Sequence, residues 1–237
     1  MRKLAAAAGV AAVLGAVAVI GVTSVGAVEP AIHFWRCLAA AGGTDVYSEP
    51  SCFRAPPPAD WERTYIASTA ITIKTAGTSA FELETTVAGQ TLLITCTAET
   101  GTGKGSNPEP FKSTNGEGEA TLTFEGCTVS KFASCVIPGK KIVTSKLHEA
   151  VEESKTFGPG IKFTPASGTT FATVALGAEC ALGEEIVLKG SDFGIANKES
   201  ELEFTNASSA LTAGTKEAKL RGKLKQEDEK GQRMSVS

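Results

Sequence analysis

The stretch that decides the fold runs from Thr91 to Cys135 and reads TLLITCTAETGTGKGSNPEPFKSTNGEGEATLTFEGCTVSKFASC. Apolar and β-branched residues over 91–95 predict a strand that ends at Cys96. Apolar residues alternate with polar ones over 120–124, which predicts a second strand with one buried face. The closely spaced glycines of 100–105 predict a turn between them.

One segment of this turn, AETGTGK over 98–104, approaches a phosphate-binding P-loop. It has Ala98 in place of the leading glycine, and Gly105 in place of the Ser or Thr that ligates magnesium. The residues that follow, SNPEP over 106–110, start no helix whose amides could face a phosphate. The segment is therefore interpreted as a glycine-rich β-turn, and nucleotide binding is not predicted.

The same short alternating runs recur along the chain, separated by glycine- and proline-containing turns. They predict an all-β fold, an antiparallel β-sandwich or barrel of many short strands, with less than about a tenth helix. The strand candidates outside the central stretch are 31–37, 70–74, 81–85, 141–144, 147–151, 161–163, 171–176, 185–189 and 201–205.

The C-terminal 22 residues, 216–237, are rich in charge but also alternate. Apolar residues and glycine at 220, 222 and 224 are separated by Lys and Arg, and EDEKG over 227–231 is turn-like. This pattern predicts a terminal hairpin with a charged outer face, and a solvated charged tail is the alternative.

The N-terminus has the pattern of a signal peptide. Basic residues at 2–3 precede an uncharged run over 4–22, and Val25-Gly26-Ala27 fits a cleavage site with small residues. We expect cleavage after Ala27 and export to the cell envelope or the medium. An uncleaved membrane anchor is the alternative, because the run is about long enough to span a bilayer.

Three segments follow from these patterns: a signal peptide at 1–27, a disulfide-clipped N-terminal segment with a proline-rich spacer at 28–62, and a β domain at 63–237. The spacer is APPPAD over 55–60, a stiff polyproline stretch. With 237 residues and a formal net charge of −3, the chain has no basic field that would recruit nucleic acid.

All six cysteines lie beyond the signal segment, and an even number in an exported chain implies disulfides. Spacing alone leaves 15 connectivities open. Because short loops close most readily, we expect two local pairs and one long-range pair. The expected pairs are Cys37–Cys52, Cys127–Cys135 and Cys96–Cys180.

The order of these motifs resembles a set of uncharacterised secreted six-cysteine β proteins of soil actinobacteria. The matching segments are Trp35–Cys52, Ile94–Gly103, Thr121–Cys135 and Glu179–Gly190. The resemblance covers most of the mature chain and implies export and a β fold. It implies no substrate and no catalytic residue, since that family has no known function.

No catalytic, cofactor-binding or metal site is predicted. The chain has two histidines, His33 beside aromatic residues and His148 in a strand candidate, and no HExxH or GxSxG motif. The acidic cluster Glu149, Glu152 and Glu153 is interpreted as a solvated strand edge. We expect a non-enzymatic exported β domain with a structural or binding role, with an envelope or extracellular glycan or protein as its partner. The alternative is a secreted polysaccharide hydrolase that uses carboxylates.

Overall fold

The computed structural model describes residues 31–39, 46–47, 61–66, 68–109, 114–197 and 200–236. Within these ranges the chain forms strands, one 3-10 turn at Pro138–Lys140 and no α-helix. The predicted all-β class and low helix content are therefore confirmed for this part of the chain. No helix in the same ranges is both long and apolar enough to traverse a bilayer.

The described residues contain eighteen strands, numbered here in chain order. The first nine are β1 Phe34–Ala39, β2 Val46–Tyr47, β3 Trp61–Tyr65, β4 Ile71–Gly77, β5 Phe81–Val87, β6 Gln90–Cys96, β7 Ala98–Ser106, β8 Glu117–Glu125 and β9 Thr128–Ser130. The other nine are β10 Lys141–Val143, β11 Leu147–Ser154, β12 Gly158–Pro165, β13 Thr170–Ala175, β14 Glu185–Ala196, β15 Glu201–Phe204, β16 Ser209–Ala213, β17 Lys216–Asp228 and β18 Arg233–Val236.

From β4 to β17, most consecutive strands lie end to end in pairs and together form one long, interrupted strand. We call each such long strand a wall, and there are eight in the described residues: A (β4, β5), B (β6, β7), C (β8, β9), D (β10, β11), E (β12, β13), F (β14), G (β15, β16) and H (β17). Each wall pairs antiparallel with the next one along the chain. Wall H then pairs with wall A, where Gln226 lies opposite Thr75 and Leu220 opposite Leu83. Because the pairing returns to its first wall, the sheet closes into a barrel.

Period-two alternation decides what faces the barrel interior. On wall H, Leu220 and Leu224 are buried, whereas Lys219 and Arg221 face outward. On the outside Arg221 pairs with Glu82 of wall A at 2.7 Å, so opposite charges meet across the closing seam. The predicted C-terminal hairpin is confirmed, since β18 turns back along the end of wall H.

Both ends of the barrel are covered. At the upper end, where wall A begins, β1 pairs with β18 and β3 and places Phe34 inside. At the lower end, the loops 131–140 and 176–184 bury Ile137 and Leu176. The interior is therefore closed from above by the N-terminal strand and from below by two loops.

Two disulfides lie in the lower part of the barrel, Cys96–Cys127 and Cys135–Cys180. The predicted pairs Cys96–Cys180 and Cys127–Cys135 are therefore wrong. Walls B and C pair on either side of Cys96 and Cys127, which places these two cysteines opposite each other. Cys135 and Cys180 belong to the two lower loops. Sheet register, not loop length, brings the sulfur atoms of Cys96 and Cys127 together.

The predicted pair Cys37–Cys52 lies outside the described side chains, as do the signal segment and the proline-rich spacer. Disulfides persist mainly in oxidising compartments, so the two that are seen fit an extracytoplasmic setting.

The glycine-rich segment predicted as a turn is instead strand β7, in the middle of a wall. A methyl group added at Gly101 would overlap the Thr75 hydroxyl, and one added at Gly103 would overlap the Glu119 carbonyl oxygen. The glycines are therefore needed for close packing and not for chain reversal. The P-loop resemblance has no structural basis, because the segment is an extended strand.

Candidate functional site in the barrel interior

Polar side chains form a band across the barrel interior. It consists of Glu99 on wall B, Thr75 on wall A, Gln226 on wall H and Glu149 on wall D, all buried. The Thr75 hydroxyl donates to Glu99 Oε1 at 2.7 Å, and Gln226 Nε2 donates to Glu149 Oε1 at 3.4 Å. Thr75 and Gln226 lie opposite each other on neighbouring strands, so the four residues form one continuous group. We call them the polar band.

Glu99 points inward because the alternation shifts just before it. Thr97 and Ala98 are consecutive exposed residues, which moves the next inward position to Glu99. Burial raises the pKa of Glu99 to about 7, and the hydrogen bond from Thr75 opposes this shift. Glu99 Oε2 has no hydrogen-bond partner among the described residues. The carboxyl is therefore partly protonated at neutral pH.

Glu149 lies on the inner face of wall D between Leu147 and Val151, and only 1 % of it is exposed. Burial raises the pKa of Glu149 to about 8. Its Oε2 has no hydrogen-bond partner in the described part of the chain. The interpretation of this residue as part of a solvated edge is wrong. Glu152 is half-buried because it lies on the outer face, and Glu153 is exposed because it lies next to the end of the strand, beyond the buried positions of the inner face.

Asp192 is a third buried carboxyl, on the inner face of wall F. Its Oδ1 accepts a hydrogen bond from the amide of Phe193 at 2.8 Å, and its Oδ2 accepts one from the Ser209 hydroxyl at 3.3 Å. Burial raises the pKa of Asp192 to about 8, and these hydrogen bonds oppose the shift. Asp192 is thus held as a neutral acid at pH 7 despite two donors.

The upper end of the interior is sealed by hydrogen bonds from one asparagine. Asn107 is fully buried; its Oδ1 accepts from the Phe34 amide, and its Nδ2 donates to the carbonyl oxygens of Phe34 and Ile66, each at 2.8 Å. Nearby, Arg36 Nε lies 2.9 Å from Asp228 Oδ2. These contacts attach the strand that follows the predicted cleavage site directly to the barrel.

The carboxyls are enclosed. Glu99, Glu149 and Asp192 stand on walls B, D and F, and none is more than 2 % exposed. The apolar lower half holds a cavity of about 20 Å³, enough for roughly one water molecule and far below the volume of a ligand pocket. A glycosidase needs two carboxyls that face one bound sugar, and the closed barrel admits no sugar to these three.

Open grooves are found on the outside of the barrel instead. One, of about 440 Å³, crosses walls A, B and C and reaches Lys146 on wall D, and most of its lining residues carry a hydroxyl or a charged group. We call it the threonine groove; its outward side chains are Thr72, Thr102, Lys104, Glu119, Thr121 and Lys146. Lys146 forms an ion pair with Glu119. A second groove, of about 580 Å³, lies between the turns at 86–89 and 213–216 and the start of β14.

Of the two histidines, one is buried and the other faces outward. His33 is buried, its ring 5.5 Å from that of Tyr65, and its Nε2 lies 3.1 Å from the Thr114 carbonyl oxygen. His148 faces outward on wall D, with Nε2 4.0 Å from Glu117 Oε2. Across the described residues no three His, Cys, Asp or Glu side chains are grouped so that they could hold a metal ion.

Models of known protein families, curated proteins and solved structures were compared with the chain, and none matches.

Sequence reasoning missed the buried carboxyls, although one of them had a readable signal. Glu149 lies two residues from both Leu147 and Val151. Because side chains alternate between the two faces of a strand, this spacing marks Glu149 as inward-facing, like these two apolar residues. Glu99 had no such signal, because the shift at 97–98 reverses the parity of its strand. Asp192 is preceded by a glycine at its own parity, Gly190, and that break hides its alignment with Leu188.

Proposed function

We propose that this chain is a non-enzymatic exported β domain with a structural or binding role at the cell envelope. The observation that carries the proposal is the enclosure of all three raised-pKa carboxyls, Glu99, Glu149 and Asp192, inside a barrel that is covered at both ends. Such carboxyls could serve as general acids only if a substrate reached them. Sealed inside, they act on the stability of the fold.

The threonine groove is the surface best suited to binding. Thr102 lies opposite Thr121, and Lys104 lies opposite Glu119, so hydroxyl and charged groups are fixed on rigid strands. Hydroxyls, an ammonium group and a carboxylate can each donate to or accept from the hydroxyls of a glycan. A polar glycan of the envelope or the extracellular medium is therefore the ligand class that we propose for it.

Export is supported by the signal-peptide pattern over 1–27, by the two disulfides and by the resemblance to secreted actinobacterial proteins. We expect the mature chain to begin at Val28. Intact mass and N-terminal sequencing of protein from the native host test this expectation. Recovery of residues 1–22 in the membrane fraction would favour the anchor instead.

One experiment, on the mature chain and its variants, distinguishes the binding function from the hydrolase function. The mature chain is applied to a glycan array and to a panel of polysaccharide substrates at pH 5 and pH 7. We expect binding without turnover, weakened by Lys104→Gln in the threonine groove and unchanged by Lys162→Gln on the outer face of wall E. Turnover that disappears in Glu149→Gln would show instead that the barrel opens to admit a substrate.

A further inference from the structure

The N-terminal strand and the buried carboxyl of Glu149 meet on one wall of the barrel. The Phe34 ring packs against two glycines, which have no side chain to exclude it. A methyl group added at Gly116 would lie 3.0 Å from Phe34 Cδ2, and one added at Gly105 would lie 3.2 Å from Phe34 Cε2. A methyl group added at Gly118 would lie 2.8 Å from Glu149 Oε2. Gly105 and Gly118 are register partners, so these three glycines form one patch.

Phe34 lies between this carboxyl and the upper end of the barrel. Gly116 immediately precedes wall C, whereas Gly118 is its second residue and lies deeper. The ring therefore covers the rim of the glycine patch, and the carboxyl occupies its inner part. Phe34 is wholly buried and Glu149 is 1 % exposed, and the ring and the carboxyl both lie against the same glycine patch.

Among the described residues, no basic side chain pairs with Glu149. The one hydrogen-bond donor found for it in these ranges is the neutral amide of Gln226, at 3.4 Å. The inner faces of walls A, C, E and G carry no charged side chain within the described ranges, and those of walls B and F carry the acids Glu99 and Asp192. At the end of wall H, Asp228 is engaged with Arg36 of β1.

We propose that β1 is a pH-released plug, which closes the barrel while Glu149 is protonated and detaches more readily once Glu149 loses its proton. An ionised Glu149 must gain water, because an unpaired buried carboxylate costs several kcal/mol. Detaching one terminal strand exposes it without breaking the closed ring of walls A to H. The device operates whatever ligand the domain binds.

The pH range follows from linkage. Burial raises the pKa of Glu149 to about 8 in the plugged state, and exposure returns it towards its ordinary value of 4.5. Between these values the plugged state binds the extra proton, so opening becomes about tenfold more frequent for each pH unit. Below this range the plug is at its tightest. Above about pH 8 both states are ionised and the opening frequency levels off.

The test is amide hydrogen exchange of the whole mature chain between pH 5 and pH 9, corrected for the intrinsic pH dependence of exchange. The reporter is the peptide over 32–36, whose Phe34 amide is bonded to Asn107, and the reference is a peptide from wall F, 185–196. We expect exchange at 32–36 to rise about tenfold per pH unit and to level off near pH 8, while the reference changes less.

Two variants test whether Glu149 is the group whose titration releases β1. Glu149→Gln keeps the shape of the side chain and should make exchange at 32–36 independent of pH. Glu152→Gln, on the outer side of the same strand, should behave as the wild type. Both tryptophans of the chain, Trp35 and Trp61, lie in β1 and β3, so tryptophan fluorescence reports the same release independently.

Three results would overturn the proposal: exchange at 32–36 that does not vary with pH in the wild type, the same rise in Glu149→Gln, or equal loss of protection in wall F. The second would assign the titration to His33, which precedes β1, or to Glu99 and Asp192. The third would mean that the barrel unfolds as one unit. The wild-type profile decides the first and third cases even if the variants do not fold.

Discussion

The lower and upper halves of the barrel interior are built on opposite principles. The lower half is filled by large apolar side chains such as Phe81, Phe124 and Leu188, and it is cross-linked by both disulfides. The upper half contains glycines, the polar band and a seal made by one terminal strand. The lower half supplies stability, whereas the upper half holds ionisable groups that make stability depend on pH.

The largest effect is expected from removing an aromatic ring in the lower half. Phe81 is 1 % exposed, and its ring centroid lies 5.1 Å from that of Phe124 and 6.0 Å from that of Phe204. Phe81→Ala should lower the free energy of unfolding by about 3–5 kcal/mol. Urea denaturation measures this loss. Phe157→Ala, at a half-exposed ring, is the control and should cost much less. Equal losses would contradict a filled lower half.

The disulfides should contribute nearly as much to the free energy of unfolding as the Phe81 ring does. Cys135 and Cys180 are 45 residues apart and Cys96 and Cys127 are 31 apart, so the chain-entropy model assigns the two bonds similar values. Replacing either pair by serine should cost about 2–4 kcal/mol in urea denaturation. Non-reducing peptide mapping checks the connectivity, and a peptide that links Cys127 to Cys135 would contradict this structure.

These bonds also show where sequence reasoning stops. Alternating residues predicted most strands, because the inner or outer position of a side chain is a local property of a strand. Cysteine pairing depends on register between walls, for example Thr95 opposite Thr128, and local spacing does not contain it. The choice between sandwich and barrel depends on whether wall H reaches wall A, which is also a long-range property.

The glycines of β7 show a second limit. Glycine favours turns when it is considered by itself, so the run over 100–105 was predicted to break the chain. In the barrel those positions are occupied by side chains from other walls, such as Thr75 and Ile73, and the same residues continue a strand. The buried carboxyls depend on the same context, because their burial arises only when the barrel closes.

The upper half should make the protein more stable in mild acid. Burial raises the pKa of Glu99 from 4.5 to about 7, so the folded state holds a proton that the unfolded state releases. The contribution of this group is therefore full below about pH 4.5 and is lost as the pH rises through about 7. Glu99→Gln should reduce the fall in unfolding free energy between pH 5 and pH 8 by roughly 2 kcal/mol.

Urea denaturation at the two pH values measures this difference, and only the slope between them is compared, since a buried amide can change the absolute stability. Glu153→Gln, at an exposed site on wall D, should leave the slope as in the wild type. An unchanged slope in Glu99→Gln would mean that Glu99 does not contribute to the pH dependence of stability.

The smallest effect concerns the turn at the lower rim between β5 and β6. Val87 pairs with Gln90, which leaves Ala88 and Gly89 as a two-residue turn with φ of 49° and 79°. A turn with two positive φ values suits glycine or asparagine and strains alanine. Ala88→Gly should therefore raise the free energy of unfolding by about 0.5–1 kcal/mol, after the extra chain entropy of glycine is subtracted.

The control is Ala210→Gly, at an exposed strand position without positive φ. It should lower the free energy of unfolding by about the same amount, because it brings only the entropic cost. Thermal or urea unfolding at pH 5 resolves the two signs. Destabilisation by both substitutions would mean that Ala88 is not strained, and that the lower half tolerates no local relaxation at its rim.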